Sequence, residues 1–255
     1  MNLPSRHVHV SLRTKDGRNL FAVDDSEKQN GRTNAQYEDT KWLSQEGEWF
    51  LAGVLDGLED ILPMVSHTLH TTLVKTLNQS QLVPTINGYK RLVAGEVLQA
   101  RFYFCANEIY QSVWAPNAVT WGYDSRAASI RLITPPSCPR SATRMEIRVP
   151  GADMNPYFAL SAIFLLGLRG IGKKMPIAYP PMKEVMNDKP KVAKLATSLE
   201  RATALFMREG SVAREVFGDE FVEHFGGTRE HEVEMWNMAV TNWERMLQFL
   251  LFSIF

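Results

Sequence analysis

The chain has 255 residues, 45% hydrophobic and 22% charged, with a formal net charge of +0, enough for a sizeable core in one large domain or two small ones. Neutrality without a basic block speaks against a nucleic-acid partner, and two cysteines, Cys105 and Cys138, give neither a disulfide framework nor a metal spacing. The start lacks an apolar signal core, and the apolar tail Met246–Phe255 is shorter than the roughly 20 residues a bilayer span needs, so a soluble cytoplasmic protein without a membrane partner is expected.

In chain order, residues 7–12, His-Val-His-Val-Ser-Leu, alternate as a strand, so His7, His9 and Ser11 share a face. A His-x-His pair on a strand is a metal or phosphate candidate; a solvated strand face is the plain alternative. Asp16-Gly17 signals a hairpin turn, with Asn19 to Phe21 returning. Ser44 is placed to cap a helix over 44–62, whose Phe50, Leu51, Val54, Leu55, Leu58, Ile61 and Leu62 recur at helical spacing.

Residues 65–81 have weak helical character, and residues 83–93 form a loop leading to Lys90-Arg91. Residues 97–112 read as an aromatic strand that interrupts a run resuming at Trp114-Ala-Pro116. Two arginine-bearing runs follow. Arg126 to Arg131 is strand-like, and residues 144–149 alternate so that Arg144, Glu146 and Arg148 share one face and Met145, Ile147 and Val149 the other. A mixed-charge solvated face is one reading. The other is an anion site, because planar bidentate donors on rigid strands suit phosphate and carboxylate groups.

Asn155 then caps a helix with Pro156 at its first position. Residues 156–171 are almost wholly apolar, which predicts a buried core helix ended by Gly170 and Gly172. After a Pro-rich connector over 176–190, three helices are expected. Leu199, Ala202, Leu205 and Phe206 line the first, Val212, Val216 and Phe217 the second, and Val233, Trp236, Val240, Trp243 and Met246 the last. His224 and His231 sit in charged surroundings and read as surface residues.

Taken together, the runs HVHVSL with DGRNLF, NGYKRLV, WAP, WGYDSRAASIR, RMEIR with GADMNPY, and VTNWER resemble the C-terminal part of the glutamine synthetase catalytic domain. The resemblance is to the class I and glutamine-synthetase-like branch. It implies an α+β fold: a curved, mainly antiparallel sheet carrying the site, backed by the 44–62 and 156–171 helices. It also implies an ATP-dependent carboxylate–amine ligase, in which the γ-phosphoryl group of ATP activates a glutamate-like carboxylate and an amine displaces phosphate. His7 and Glu146 would be ligands of Mg²⁺ or Mn²⁺, and His9 and Ser11 would lie towards the nucleotide. Arg91 would hold the amino-acid carboxylate, Arg126 and Arg148 would serve the transferring phosphoryl and the acceptor, and Arg131 and Arg144 the nucleotide phosphates. A ring-shaped homo-oligomer is the family's assembly.

The departures from the family pattern shape the remaining expectations. The glycine-rich entry before the first histidine is replaced by residues 2–6, leaving Asn2 as the matching amide. The family's N-terminal β-grasp domain and its acidic strands have no counterpart, so residues 1–255 are expected to be a partial catalytic domain. Trp114 stands where true synthetases carry a flap glutamate, with Glu96 across the interruption. A bulkier amine than ammonia would suit that; a Trp packing the loop is the other reading. Stretches 65–81 and 97–112 are expected to be non-family insertions; both begin with Val, whose codons start GT, as in-frame retained introns would. Two other functions remain open: a clan relative phosphorylating another acceptor such as a guanidino group, and a catalytically dead interaction or regulatory protein.

Overall fold

The computed structural model describes residues 7–27, 29–65, 116, 118–151, 154–184 and 192–239. Stretches 66–81 and 97–112 lie outside the described residues. The strands β1 (Val8–Val10), β2 (Trp121–Tyr123), β3 (Ile130–Ile133) and β4 (Arg144–Ile147) form one sheet in the order β1-β4-β3-β2. β4 runs antiparallel to both β1 and β3, while β2 pairs parallel with β3. The fold is α+β with a mixed sheet, antiparallel at two of its three pairings.

The period-2 alternation decides which side chains enter the core. Val8 and Val10, Ile130 and Leu132, and Met145 and Ile147 are all buried in one apolar cluster. That cluster continues through Phe21 and Phe50, whose rings meet at 5.0 Å, into the helices. Arg126 lies in a turn, and β3 begins only at Ile130. The strand expected to start at Arg126 is therefore shorter, because Ser129 turns inward to bond Ala118 and Thr120 before pairing starts. Thr14 to Gly17 makes the expected turn, with Gly17 at φ +86 and one antiparallel bridge between Arg13 and Asn19.

Helix α1 spans Gln45–Gly57, and the Ser44 hydroxyl accepts from the Gly47 N–H at 2.9 Å, satisfying a donor left open at the helix start. It ends earlier than the apolar spacing suggests, and a short α2, Leu62–Val65, follows. The break brings Asp60 inward, where its carboxylate accepts from the Val212 N–H at 2.7 Å and from Arg208 at 3.0 Å.

Helix α3 spans Pro156–Lys173 and is capped by Asn155, which accepts from the Tyr157 N–H. It is not the wholly buried helix its composition suggests. Ala159, Ala162, Ile163, Leu166, Gly167 and Gly170 form the buried stripe, whereas Tyr157 is 82% and Leu168 53% exposed. The buried stripe meets α1, and Phe158 beside it packs against the Phe225 ring at 5.2 Å. Gly170 does not terminate the helix but serves this crossing. A Cβ on it would lie 2.1 Å from the Trp49 carbonyl oxygen, and one on Gly53 would lie 2.2 Å from that of Leu166. The helix ends instead at Lys174, in left-handed conformation at φ 50.

Helices α4 (Leu199–Met207), α5 (Val212–Phe217) and α6 (Asp219–Met238) follow, the first two capped by Ser198 and Ser211. α6 begins before the stretch anticipated for the last helix, and Val240, Trp243 and Met246 lie outside the described residues. His224 and His231 are exposed, as expected. Arg229 on α6 is buried and paired with Glu232 at 2.7 Å. No helix among the described residues is long and apolar enough to cross a membrane.

Candidate functional site

The polar face of the sheet is organised around Glu146. Register sets His9 of β1 opposite Glu146 of β4, and Glu146 opposite Arg131 of β3. Two residues before it on β4 and two after, just past the strand's end, Arg144 and Arg148 fall on the same side. Glu146 is only 3% exposed, and a carboxylate so buried needs partners to stay ionised. It has them. Arg131 Nη1 donates to Oε2 at 2.8 Å, and Arg148 Nη1 donates to Oε1 at 2.6 Å. His7 Nε2 stands 3.8 Å from the same Oε1. Burial alone would raise the Glu146 pKa, but the hydrogen bonds from Arg131 and Arg148 outweigh it and hold the group below the ordinary carboxylate value.

The donors around this carboxylate are not all used. Arg148 Nε is buried and has no hydrogen-bond partner among the described residues. A buried N–H without an acceptor is unfavourable and marks a place where an anion's oxygen would be welcome. Beside it, Arg144 Nε donates to His9 Nδ1 at 3.2 Å, and Arg144 Nη1 donates to the Ala142 carbonyl at 2.9 Å. Arg131 is held from its other side by Asp124, whose Oδ1 accepts from Nε at 2.9 Å and also from Nη2. Burial lowers the Arg131 pKa, but the two carboxylates more than reverse this, so the guanidinium stays charged.

His7, His9, Arg131, Arg144, Glu146 and Arg148 are thus brought together. Two other candidates are not. Ser11 is exposed past the end of β1, and Arg126 is exposed in its turn without a hydrogen bond or ion pair among the described residues. Asn2, Arg91, Glu96 and Trp114 lie outside the described residues. Sequence reasoning missed Asp124. Its signal was a carboxylate in a short turn directly after one site strand and seven residues before Arg131.

The residues implied as metal ligands do not by themselves fit a divalent ion. Both oxygens of Glu146 are engaged by arginines, and no group of three or more His, Cys, Asp or Glu side chains suited to a metal exists among the described residues. His7 and Glu146 would supply two donors where Mg²⁺ takes about six. A metal here would need donors from elsewhere. What the face itself offers is a set of fixed, charge-assisted donors for anionic oxygen, on strands whose register leaves little freedom.

Comparison with known proteins gives the family. The family model for the glutamine synthetase catalytic domain matches residues 73–248. The chain belongs to the glutamine synthetase family. Its relatives include a glutamate–isopropylamine ligase from a Pseudomonas species, 33% identical over 241 residues, an alignment covering 94% of this chain and 41% of that protein. A type-1 glutamine synthetase 2 from Dictyostelium discoideum is also 33% identical, over 94% of this chain and 37% of its own length. The chain therefore spans about two fifths of these relatives. The same fold occurs in a structure of GmaS without ligand, with a TM-score of 0.62 and 22% identity over 95% of this chain and 44% of that one. The resemblance read from HVHVSL, WGYDSRAASIR and RMEIR is borne out at the level of family and fold.

Proposed function

We propose that this chain forms the anion-binding wall of an ATP-dependent carboxylate–amine ligase of glutamine synthetase type. In that reaction a carboxylate oxygen of a glutamate-like substrate attacks the γ-phosphorus of ATP, and ADP leaves. The amine nitrogen then attacks the acyl carbon, phosphate leaves, and the amine gives up a proton. Several negative charges meet at the transferring group, and fixed guanidinium groups stabilise such charge without reorganising as it develops.

The observation that carries the reading is the convergence of Arg131 and Arg148 on Glu146, with Arg148 Nε buried and unpartnered beside them. On this reading Arg148 and Arg126 serve the phosphoryl group and the acceptor carboxylate. Arg131 and Arg144 serve the nucleotide phosphates, with His9 and Ser11 towards the nucleotide. Arg91 and Asn2 complete the amino-acid end. The amine is ammonia or a larger primary amine; the Pseudomonas relative's name, a glutamate–isopropylamine ligase, supports including the latter.

The test is release of ADP and phosphate from ATP with glutamate and a panel containing ammonium and isopropylamine. Release that requires both glutamate and an amine is expected, with loss in Arg148→Ala. Release indifferent to glutamate would overturn the assignment of the acceptor. A second reading, nucleotide or carboxylate binding without turnover, is favoured because no group of three or more His, Cys, Asp or Glu side chains among the described residues is suited to a metal. ADP binding without amine-dependent release would select it.

A further inference from the structure

We propose that Asp124 is a positioning residue that sets the guanidinium plane of Arg131 for an incoming phosphate; the nucleotide part of this rests on the function proposed above. The argument begins with what flanks Arg131 on the sheet. On the β4 side stands Glu146, but on the β2 side its register partner is Gly122, which has no side chain to hold it. Asp124, two residues beyond Gly122, supplies the missing contact. Its carboxylate takes the Nε and Nη2 groups of Arg131, while Glu146 takes Nη1.

The backbone is shaped for this. Asp124 has φ 45, a left-handed conformation that Asp and Asn tolerate better than most residues. Its N–H donates to the Leu132 carbonyl at 2.9 Å, which ties the turn to the residue next to Arg131. Arginine has five N–H donors. With one on each nitrogen engaged, one N–H remains on each terminal nitrogen, available to an anion's oxygens. The side chain that must hold that geometry is long and flexible, so fixing it in advance removes an ordering cost from binding. Asp124 also repels an anion, but its side chain is 42% exposed, so water screens that repulsion. Orientation therefore outweighs repulsion.

Asp124→Gly and Asp124→Asn separate the carboxylate from the backbone, because both Gly and Asn accept φ 45. Calorimetric titration with ADP is expected to show about a tenfold loss for D124G and about a threefold loss for D124N, whose neutral amide still accepts but without charge assistance. In an Arg131→Lys background, D124G is expected to add less than about a twofold further loss, since coupled residues are not additive. ADP binding by D124G as tight as wild type, or losses from D124G and R131K that simply multiply, would overturn the proposal. If the wild-type chain binds no ADP, the nucleotide reading fails, and positioning is read directly from hydrogen exchange at Arg131 Nε–H by NMR. Protection present in wild type and lost in D124G supports positioning; equal exchange in both refutes it.

Discussion

Arg131 and Glu146 are register partners across the β3–β4 pairing, and Arg131 Nη1 donates to Glu146 Oε2 at 2.8 Å. Arg148, two residues on and just past the end of β4, donates to the other oxygen at 2.6 Å. One buried carboxylate thus keeps two guanidinium groups in place, and it occupies them as an anionic ligand would.

Removing that charge should be costly and partly reversible by an anion. Glu146→Gln leaves Arg148 without its carboxylate partner and Arg131 with Asp124 alone. Breaking a buried pair costs about 3–5 kcal/mol; here about 2 kcal/mol is expected, because the two arginine side chains keep 18% and 15% exposure. Urea denaturation of E146Q with and without millimolar phosphate checks this. Phosphate should recover a larger share of stability in E146Q than in wild type, and an E146Q variant as stable as wild type would refute it.

Much of this site was legible in the sequence, because strand alternation is a strict rule. Arg144, Glu146 and Arg148 had to share a face once residues 144–147 paired. The caps at Ser44 and Asn155 were legible for the same local reason. What could not be read depended on distant partners. Arg126 to Ser129 looks as strand-like as Ile130 to Ile133, and only the inward turn at Ser129 tells them apart. Asp124 resembles any turn acid until Arg131 is beside it. The apolar run of α3 suggested full burial, yet composition cannot say which stripe finds a partner, and Leu168 found none among the described residues.

The α1–α3 crossing gives a prediction of opposite signs at two nearby glycines. A Cβ on Gly170 would meet the Trp49 carbonyl at 2.1 Å and the Gly53 backbone at 2.8 Å, so the helices must separate. Gly170→Ala is expected to cost about 3 kcal/mol from overpacking alone. At Gly172, in the same helix, a Cβ meets nothing within 4 Å. Gly172→Ala should stabilise by up to about 1 kcal/mol, the ordinary helix advantage of alanine. Thermal unfolding of both variants decides it, and a harmless G170A would contradict the close crossing.

Glu48 and Arg32 form an ion pair in which both side chains are 4% exposed. Glu48 also accepts from Thr40 Oγ1 and from the Gln36 N–H, so it anchors the 32–40 loop to α1. Glu48→Ala should cost about 3–5 kcal/mol, because it strands a buried guanidinium. The double variant Arg32→Met with Glu48→Leu removes both charges and should recover most of that loss. Denaturant midpoints of the three proteins test this, and a double variant no better than E48A would show that the remaining polar bonds, not the charges, hold the loop.

The last prediction concerns acid stability and rests on α5. Hydrogen bonds from Arg169 and then Lys173 lower the Glu215 pKa from 4.5 to about 2. Arg169 also pairs with Asp56 of α1 at 2.7 Å, so the cluster joins α1, α3 and α5. A carboxylate with a depressed folded-state pKa adds stability that is complete above its unfolded value and is lost as pH falls towards the folded one. For Glu215 that window runs from pH 4.5 down to about 2. Its side chain is 41% exposed, so solvent screening limits the contribution to below about 1 kcal/mol. Carboxyl NMR titration should place Glu215 near 2, and Arg169→Gln should move it back towards 4.5. Over the same window, Glu215→Gln should show a shallower fall in stability than wild type. A Glu215 that titrates at its ordinary value in the wild-type protein would mean that neither Arg169 nor Lys173 holds it in solution.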